Sequence, residues 1–158
     1  MRSLLSLKRV GWGVILILFI SLVGCSDEGD LSQARTVCKV SFYHKTSQRL
    51  DTLSTLTVKA IGADSVFLQN KSASSVSLPL KYVGDSTQFQ LTLAGQTPDT
   101  LTIKHKNTPH FISMDAGYAM YYELTAVTAT RHSISDILLY SSTINTYEQE
   151  NIRVYYPE

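Results

Sequence analysis

The sequence predicts an all-β fold, an antiparallel β-sandwich of about eight to ten short strands. From residue 36 onward apolar and polar residues alternate with a period of two, and Thr, Val, Tyr and Ser are abundant. Turn residues separate these segments at short spacing, and no segment shows a helical period of apolar residues. Many short strands without helices are typical of a sandwich. A small closed barrel with a cavity is the alternative.

Residues 1–24 have the layout of a secretory signal peptide. Three basic residues, Arg2, Lys8 and Arg9, precede an apolar run over Val14–Ile20, and small residues follow up to Gly24. The apolar stretch is short for a permanent span, which needs about 20 residues. We therefore expect this segment to direct export.

The end of this segment, Leu22-Val23-Gly24-Cys25, is typical of a bacterial lipobox. There the thiol takes a diacylglyceryl group, the chain is cut before Cys25 and the new amine is acylated. Several acyl chains give stable anchoring, because each buried methylene contributes about 0.8 kcal/mol. An uncleaved anchor with an incidental cysteine is the alternative.

Residues 25–35 form an acidic tether that begins at the lipidated cysteine. Ser26 follows Cys25, and carboxylates stand at Asp27, Glu28 and Asp30. Such a run favours a solvated linker over a packed strand. It also resembles the acidic export tag of surface-displayed lipoproteins of Bacteroidetes. That resemblance implies an outer-membrane location on the cell surface; a generic linker, or a periplasm-facing protein, is the alternative.

Residues 36–158 are predicted to form one β domain. Removal of Arg2, Lys8 and Arg9 leaves 14 − 3 = 11 basic residues against 13 acidic ones, a net charge of about −2. This balance, without a cluster of Lys or Arg, argues against a nucleic-acid partner.

Turn residues divide the domain into its strands. The predicted strands cover Thr36–His44, Leu53–Ile61, Ser65–Gln69, Val76–Leu80, Thr87–Leu93, Leu101–Ile103, His110–Met114, Tyr118–Val127, Ile134–Tyr140, Thr143–Tyr147 and Asn151–Tyr156. A polar loop is predicted over Asn70–Ser75 and a turn over Asn107-Thr108-Pro109. Pro79 cannot donate a ladder hydrogen bond, so its strand is predicted to be an edge or to carry a bulge.

An Asp followed by a hydroxyl residue recurs just before apolar strands. The pairs are Asp51-Thr52, Asp64-Ser65, Asp85-Ser86 and Asp99-Thr100. Short side chains of this kind bond the nearby backbone, which predicts strand-entry turns.

Cys38 has no cysteine to pair with once Cys25 is acylated. Alternation places it on one face with Val40 and Phe42. We expect a buried, reduced thiol with a packing role. The alternative is an exposed thiol that forms an intermolecular disulfide.

No pattern for catalysis, a metal or a cofactor stands out. His44, His105, His110 and His132 are expected to be separate surface histidines, with His105 and His110 flanking a turn, since their spacing matches no zinc pattern. The nucleophile motif Gly-x-Ser-x-Gly, a distinctive pair of carboxylates and a Gly-rich phosphate loop are all missing from the sequence. We therefore expect a protein that is not an enzyme and needs no cofactor or metal.

Tyrosine is concentrated in the last third of the chain. On a strand, Tyr118, Met120, Tyr122 and Leu124 share one face, predicted to be core, while Tyr121 and Glu123 share the other. Because tyrosine is amphipathic, a binding surface around Tyr121 and Glu123 is the alternative use of these aromatics.

The segments Ser75–Leu80, Asp85–Phe89, Asp99–Ile103 and Glu150–Tyr156 together resemble a family of small uncharacterised lipoproteins of Bacteroidetes. The likeness spans roughly residues 38–156 and implies lineage and location, since that family has no assigned activity. Its members often carry a Cys-Gly where this chain has Ala116-Gly117, and an early cysteine near Cys38. If those two cysteines pair in relatives, Ala116 has replaced the partner here.

These observations predict a lipid-anchored envelope protein that acts without catalysis through structural or protein contacts. The membrane is its partner through the anchor, and an envelope protein or a glycan is a further candidate. The alternative function is a surface module that binds a glycan or a hydrophobic ligand. A deep aromatic pocket would favour that alternative, and a flat apolar patch would favour a protein partner.

Overall fold

The computed structural model describes residues 35–63 and 65–157, and this part of the chain contains ten strands and no helix. The strands are β1 (Cys38–His44), β2 (Leu53–Ala60), β3 (Val66–Ala73), β4 (Ser75–Leu78), β5 (Ser86–Leu93), β6 (Asp99–Ser113), β7 (Gly117–Ala129), β8 (Asp136–Leu139), β9 (Thr143–Ile144) and β10 (Glu150–Tyr156). The predicted all-β class is confirmed.

The strands form two sheets that do not close into a barrel, an arrangement that fits the predicted sandwich. The four-stranded sheet has the order β4-β1-β10-β8, and the six-stranded sheet has the order β3-β2-β5-β6-β7-β9. All strand pairs are antiparallel except β1 with β10, which run parallel.

Side chains from both sheets form a single core cluster. In β5, for example, Phe89, Leu91 and Leu93 are buried whereas Gln88 and Gln90 are exposed. The period of two that was read from the sequence therefore places every second side chain in the core.

Cys38, Val40 and Phe42 are fully buried, and Cys38 is a free thiol. Burial raises the pKa of the Cys38 thiol far above its ordinary value, because a thiolate would be desolvated. The prediction of a buried thiol on the core face of the first strand is confirmed.

The pairing of β1 with β10 contains a bulge at Asn151, and the side chain of this residue bonds β1. The pairing shifts between Lys39, opposite Glu150, and Val40, opposite Ile152, so that Asn151 is the extra residue. Its Oδ1 accepts the N–H of Lys39 at 3.1 Å, and its Nδ2 donates to the carbonyl of Thr143 at 2.9 Å. Asn151 thus replaces ladder bonds that the bulge interrupts.

The β6–β7 hairpin is longer than predicted. The segment Asn107-Thr108-Pro109 was predicted to be a turn, but it lies inside β6 and pairs with Met120, Tyr121 and Tyr122 of β7. The pairing of β5 with β6 ends at Lys104, so the outer part of β6 is an edge. Proline is tolerated there because an edge strand leaves alternate N–H positions without a ladder partner.

The segment Asn70–Ser75 was predicted to be a polar loop, and this prediction was also wrong. Strand β3 continues through Asn70 to Ala73, and β4 begins at Ser75. Its side chains are mostly exposed since β3 is the edge of the six-stranded sheet. Strand β4 is likewise an edge strand, as predicted, but it ends at Leu78, so Pro79 follows the strand and does not lie inside it.

Candidate functional site

Along one face of β7, the side chains change from buried to exposed. Leu124 and Tyr122 are each 3% exposed, Met120 is half-buried and Tyr118 is 74% exposed, although alternation puts all four on one face. The prediction of core positions is confirmed for Tyr122 and Leu124 and wrong for Tyr118. The outer end of the hairpin carries this apolar face beyond the buried core.

The exposed end of this face borders a groove of about 710 Å³. This volume is in the range of small-molecule sites, roughly 300–1,000 Å³. Its apolar lining comes from β3, from β7 and from the segments just before β1 and just after β4. These residues are Val37, Phe67, Pro79, Tyr82, Tyr118, Ala119 and Met120.

Polar side chains share the groove with these rings. They are Arg35, Thr36, Ser77, Thr146 and Glu148. Glu148 Oε1 accepts the hydroxyl of Ser77 at 2.9 Å and lies 3.8 Å from Lys39 Nζ. The lining therefore offers aromatic surface, hydroxyl groups, one carboxylate and one guanidinium.

The loop that carries Tyr82 is fixed from beneath by Asn107 of β6. The Asn107 Nδ2 group donates to the carbonyls of Lys81 at 3.1 Å, Tyr82 at 2.9 Å and Gly84 at 3.0 Å. The hydroxyl of Tyr122 adds a bond to the carbonyl of Leu80 at 3.2 Å. Tyr82 is 71% exposed at the ring while its backbone is held.

His105 stands behind Asn107 and is buried at 1% exposure, so its assignment as a surface histidine was wrong. His105 and Asn107 lie on the same strand and contact each other through Nδ1 and Oδ1. Because the Asn107 amide nitrogen faces three carbonyls, its oxygen faces His105, and Nδ1 must carry the hydrogen. Nε2 then accepts the hydroxyl of Thr87 at 2.8 Å.

The Thr87 hydroxyl completes this buried network by accepting the N–H of Lys81 at 3.0 Å. The Tyr122 ring packs edge-on against His105, with ring centroids 5.4 Å apart, and burial raises the pKa of Tyr122 to about 12. No local sequence pattern indicates this network, because its members come from three strands.

Tyr121 and Glu123, the predicted binding residues, lie on the face of β7 opposite to Tyr118 and Met120. The Tyr121 ring is half-buried and stacks on His110 at 4.4 Å, and Glu123 is exposed. The structure thus places them outside the set of residues that line the groove.

The outer face of the four-stranded sheet carries a second aromatic cluster. The Arg153 guanidinium lies 3.8 Å from the Tyr140 ring and 5.0 Å from the Tyr43 ring, and its Nη2 is 2.7 Å from Glu150 Oε2. Burial opposes the charge on Glu150, but hydrogen bonds from Tyr43 and Arg153 hold its pKa below the ordinary value. These charges satisfy one another, which indicates a structural role.

Within residues 35–63 and 65–157, no group of His, Cys, Asp and Glu side chains could hold a metal ion. A search of the same residues found no helix of sufficient length and hydropathy to span a membrane. The predicted lipidation and export residues Cys25, Ser26, Asp27, Glu28 and Asp30 lie outside the described residues.

The fold and the groove define an all-β domain with a mixed aromatic and polar surface cleft. Residues 55–156 match a family of unknown function, DUF6452, and the chain belongs to that family. No curated protein and no solved structure matches the chain.

Proposed function

We propose that the protein is a non-catalytic binding module, held at the cell envelope by a lipid on Cys25, and that the groove holds its ligand. The observation that carries this proposal is the exposed aromatic face of β7, which continues from the buried Tyr122 to the open Tyr118 beside polar groups. Concave sites with aromatic walls and a few polar groups are the usual form of ligand sites.

The anchor part of the proposal rests on sequence. The basic start, the apolar run and Leu22-Val23-Gly24-Cys25 support lipidation, and Asp27, Glu28 and Asp30 support display on the outer membrane. A domain fixed in this way meets ligands outside the cytoplasm.

The lining of the groove supports binding without turnover. Glu148 is the one carboxylate among the described residues that line the groove, whereas glycoside hydrolysis ordinarily uses two. The described residues that line the groove include hydroxyl groups but no histidine to activate one as a nucleophile. Binding requires only a surface that is complementary to the ligand, and it needs no activated nucleophile or second carboxylate.

In-cell photocrosslinking from inside the groove tests this proposal. A benzophenone amino acid replaces Tyr118 in the full chain, and irradiation of intact cells should yield a discrete adduct. The matched control carries the same group at Tyr140, which is 57% exposed and lies outside the groove. Equal adducts from both positions, or none from position 118, would show that the groove is not the binding site.

A further inference from the structure

We propose that the ligand of the groove is a neutral oligosaccharide. This inference rests on the proposed binding function and names the class of ligand. Two exposed tyrosine rings and a set of hydroxyl and charged side chains meet in a single open groove. A pyranose ring matches both kinds of group, because it has an apolar C–H face that can stack on tyrosine and polar hydroxyl groups at its edge.

Both rings are exposed, and contacts restrain the Tyr118 ring and the backbone of Tyr82. Tyr118 is 74% exposed, and Phe111 packs edge-on against it with ring centroids 5.4 Å apart. Tyr82 is 71% exposed on a loop whose carbonyls are bonded to Asn107. Such contacts, made before binding, reduce the conformational entropy that is lost when a ligand stacks on these residues.

The polar lining excludes a purely apolar ligand. Arg35 supplies donors, Glu148 supplies acceptors, and Thr36, Ser77 and Thr146 supply hydroxyls that can do either. An acyl chain in this groove would cover these groups without giving them hydrogen-bond partners, which is unfavourable. A sugar ring satisfies them through its own hydroxyls.

The charges of the lining point to a ligand without net charge. Arg35 and Glu148 have opposite signs, and Lys39 lies 3.8 Å from Glu148 rather than in the lining. A strongly anionic ligand would meet Glu148 as well as Arg35, and like charges repel.

Two of the strand edges, β4 and the outer part of β6, disfavour a peptide that binds by strand addition. Strand β4, which borders the groove, has four residues and is followed by Pro79, which has no N–H to donate. The outer part of β6 carries Pro109 in the same way. Main-chain pairing is the main source of affinity in strand addition, so both edges offer little of it.

A glycan array followed by calorimetry tests this inference. The full chain, purified in detergent, is applied to an array of neutral, acidic and basic oligosaccharides, and the best neutral binder is titrated. Tyr118→Ala and Tyr82→Ala should each weaken binding at least tenfold, and Tyr118→Phe should restore it because the ring is kept. Tyr140→Ala, an exposed tyrosine outside the groove, should bind as the parent does.

All four variants change exposed side chains, and unchanged urea midpoints for Tyr118→Ala and Tyr82→Ala would show that they fold. Binding of no glycan, binding of charged glycans alone, or binding that survives both alanine changes would overturn the inference. A protein adduct at position 118 in cells together with an empty array would also overturn it, while leaving the proposed binding function in place.

Discussion

Asp99 accepts a hydrogen bond from the backbone N–H of Ser133 at 2.7 Å, across 34 residues of sequence. Its carboxylate is fully buried at the start of β6 and also accepts the N–H groups of His132 at 2.8 Å and Ile134 at 2.9 Å and the hydroxyl of Thr130 at 2.7 Å. A single side chain thus fastens the segment between β7 and β8 to the six-stranded sheet.

Replacement of Asp99 by Asn should destabilise the fold, because one Asn oxygen cannot accept all of these donors. We expect the free energy of unfolding at pH 7 to fall by about 2–4 kcal/mol. Urea unfolding followed by circular dichroism measures this. Asp115→Asn, in the exposed turn of the β6–β7 hairpin, is the matched control and should leave the midpoint unchanged.

The difference in stability between the parent protein and Asp99→Asn should depend on pH. Burial opposes the charge on Asp99, but bonds from His132, Thr130, Ser133 and Ile134 hold its pKa below the ordinary value. Its contribution to stability is fully present above the pKa of an unfolded Asp, about 3.9, and is lost as pH falls through the lower folded pKa. The stability gap between parent and Asp99→Asn should therefore narrow below about pH 4; a constant gap from pH 7 to pH 3 would contradict it.

Thr87→Val should loosen the loop that carries Tyr82. The change keeps the shape of the buried side chain but removes the hydroxyl that joins His105 Nε2 to the N–H of Lys81, at a cost of about 1–3 kcal/mol. Thr87→Ser keeps the hydroxyl and should lose less stability. Hydrogen exchange at the Lys81 amide measures the effect. Equal protection of this amide in Thr87→Val and in the parent protein would show that the Thr87 hydroxyl does not hold the loop.

The Cys38 thiol should resist labelling in the native protein. Cys25→Ser leaves it as the remaining thiol of the chain, so a thiol-reactive dye should react with it after denaturation and not before. Cys38→Ala should reduce the free energy of unfolding by about 1 kcal/mol, within the ordinary range for core truncations. Rapid native labelling, or a dimer on a non-reducing gel, would show that the thiol is reachable.

Cys25→Ser should release the chain from membranes or leave it unprocessed, because serine cannot form the thioether. Metabolic labelling with a fatty-acid analogue and fractionation of cells measure this outcome. A variant that is still cleaved before residue 25 and remains membrane-bound would rule out lipidation at this position.

The triple change Asp27→Ala, Glu28→Ala and Asp30→Ala should abolish surface display and leave acylation intact. Protease added to intact cells should then no longer digest the domain. If digestion is unaltered, the acidic run acts as a linker alone.

The fold could be predicted because alternation reports directly which side chains are buried. The turn predicted at Asn107-Thr108-Pro109 failed because proline and asparagine favour turns locally, and only the arrangement of β5 beside β6 shows that this part of the strand is an edge. The parallel pairing of β1 with β10 has no local signal, since its two members lie at opposite ends of the domain.

The groove was beyond prediction for a related reason. Alternation correctly put Tyr118 on the same face as Tyr122, but burial ends where the opposing layer ends, and sequence does not show that boundary. His105 was predicted to lie at the surface because the spacing of the histidines matches no zinc pattern. Its partner Thr87 comes from another strand, so the sequence does not show their contact. Asp99 was assigned a local turn, as Asp51 does make with Thr52 at 2.7 Å, yet its partners are distant.

The position of β10 between β1 and β8 has a consequence for the order of folding. Lys39 of β1 and Asn151 of β10 are bonded across 112 residues, and all the other strands lie between them in the chain. The six-stranded sheet can form from residues 53–144, whereas the four-stranded sheet waits for β10. Since contacts of such long separation form slowly, a chain that is still being synthesised can pair the strands of the six-stranded sheet but lacks a central strand of the four-stranded sheet.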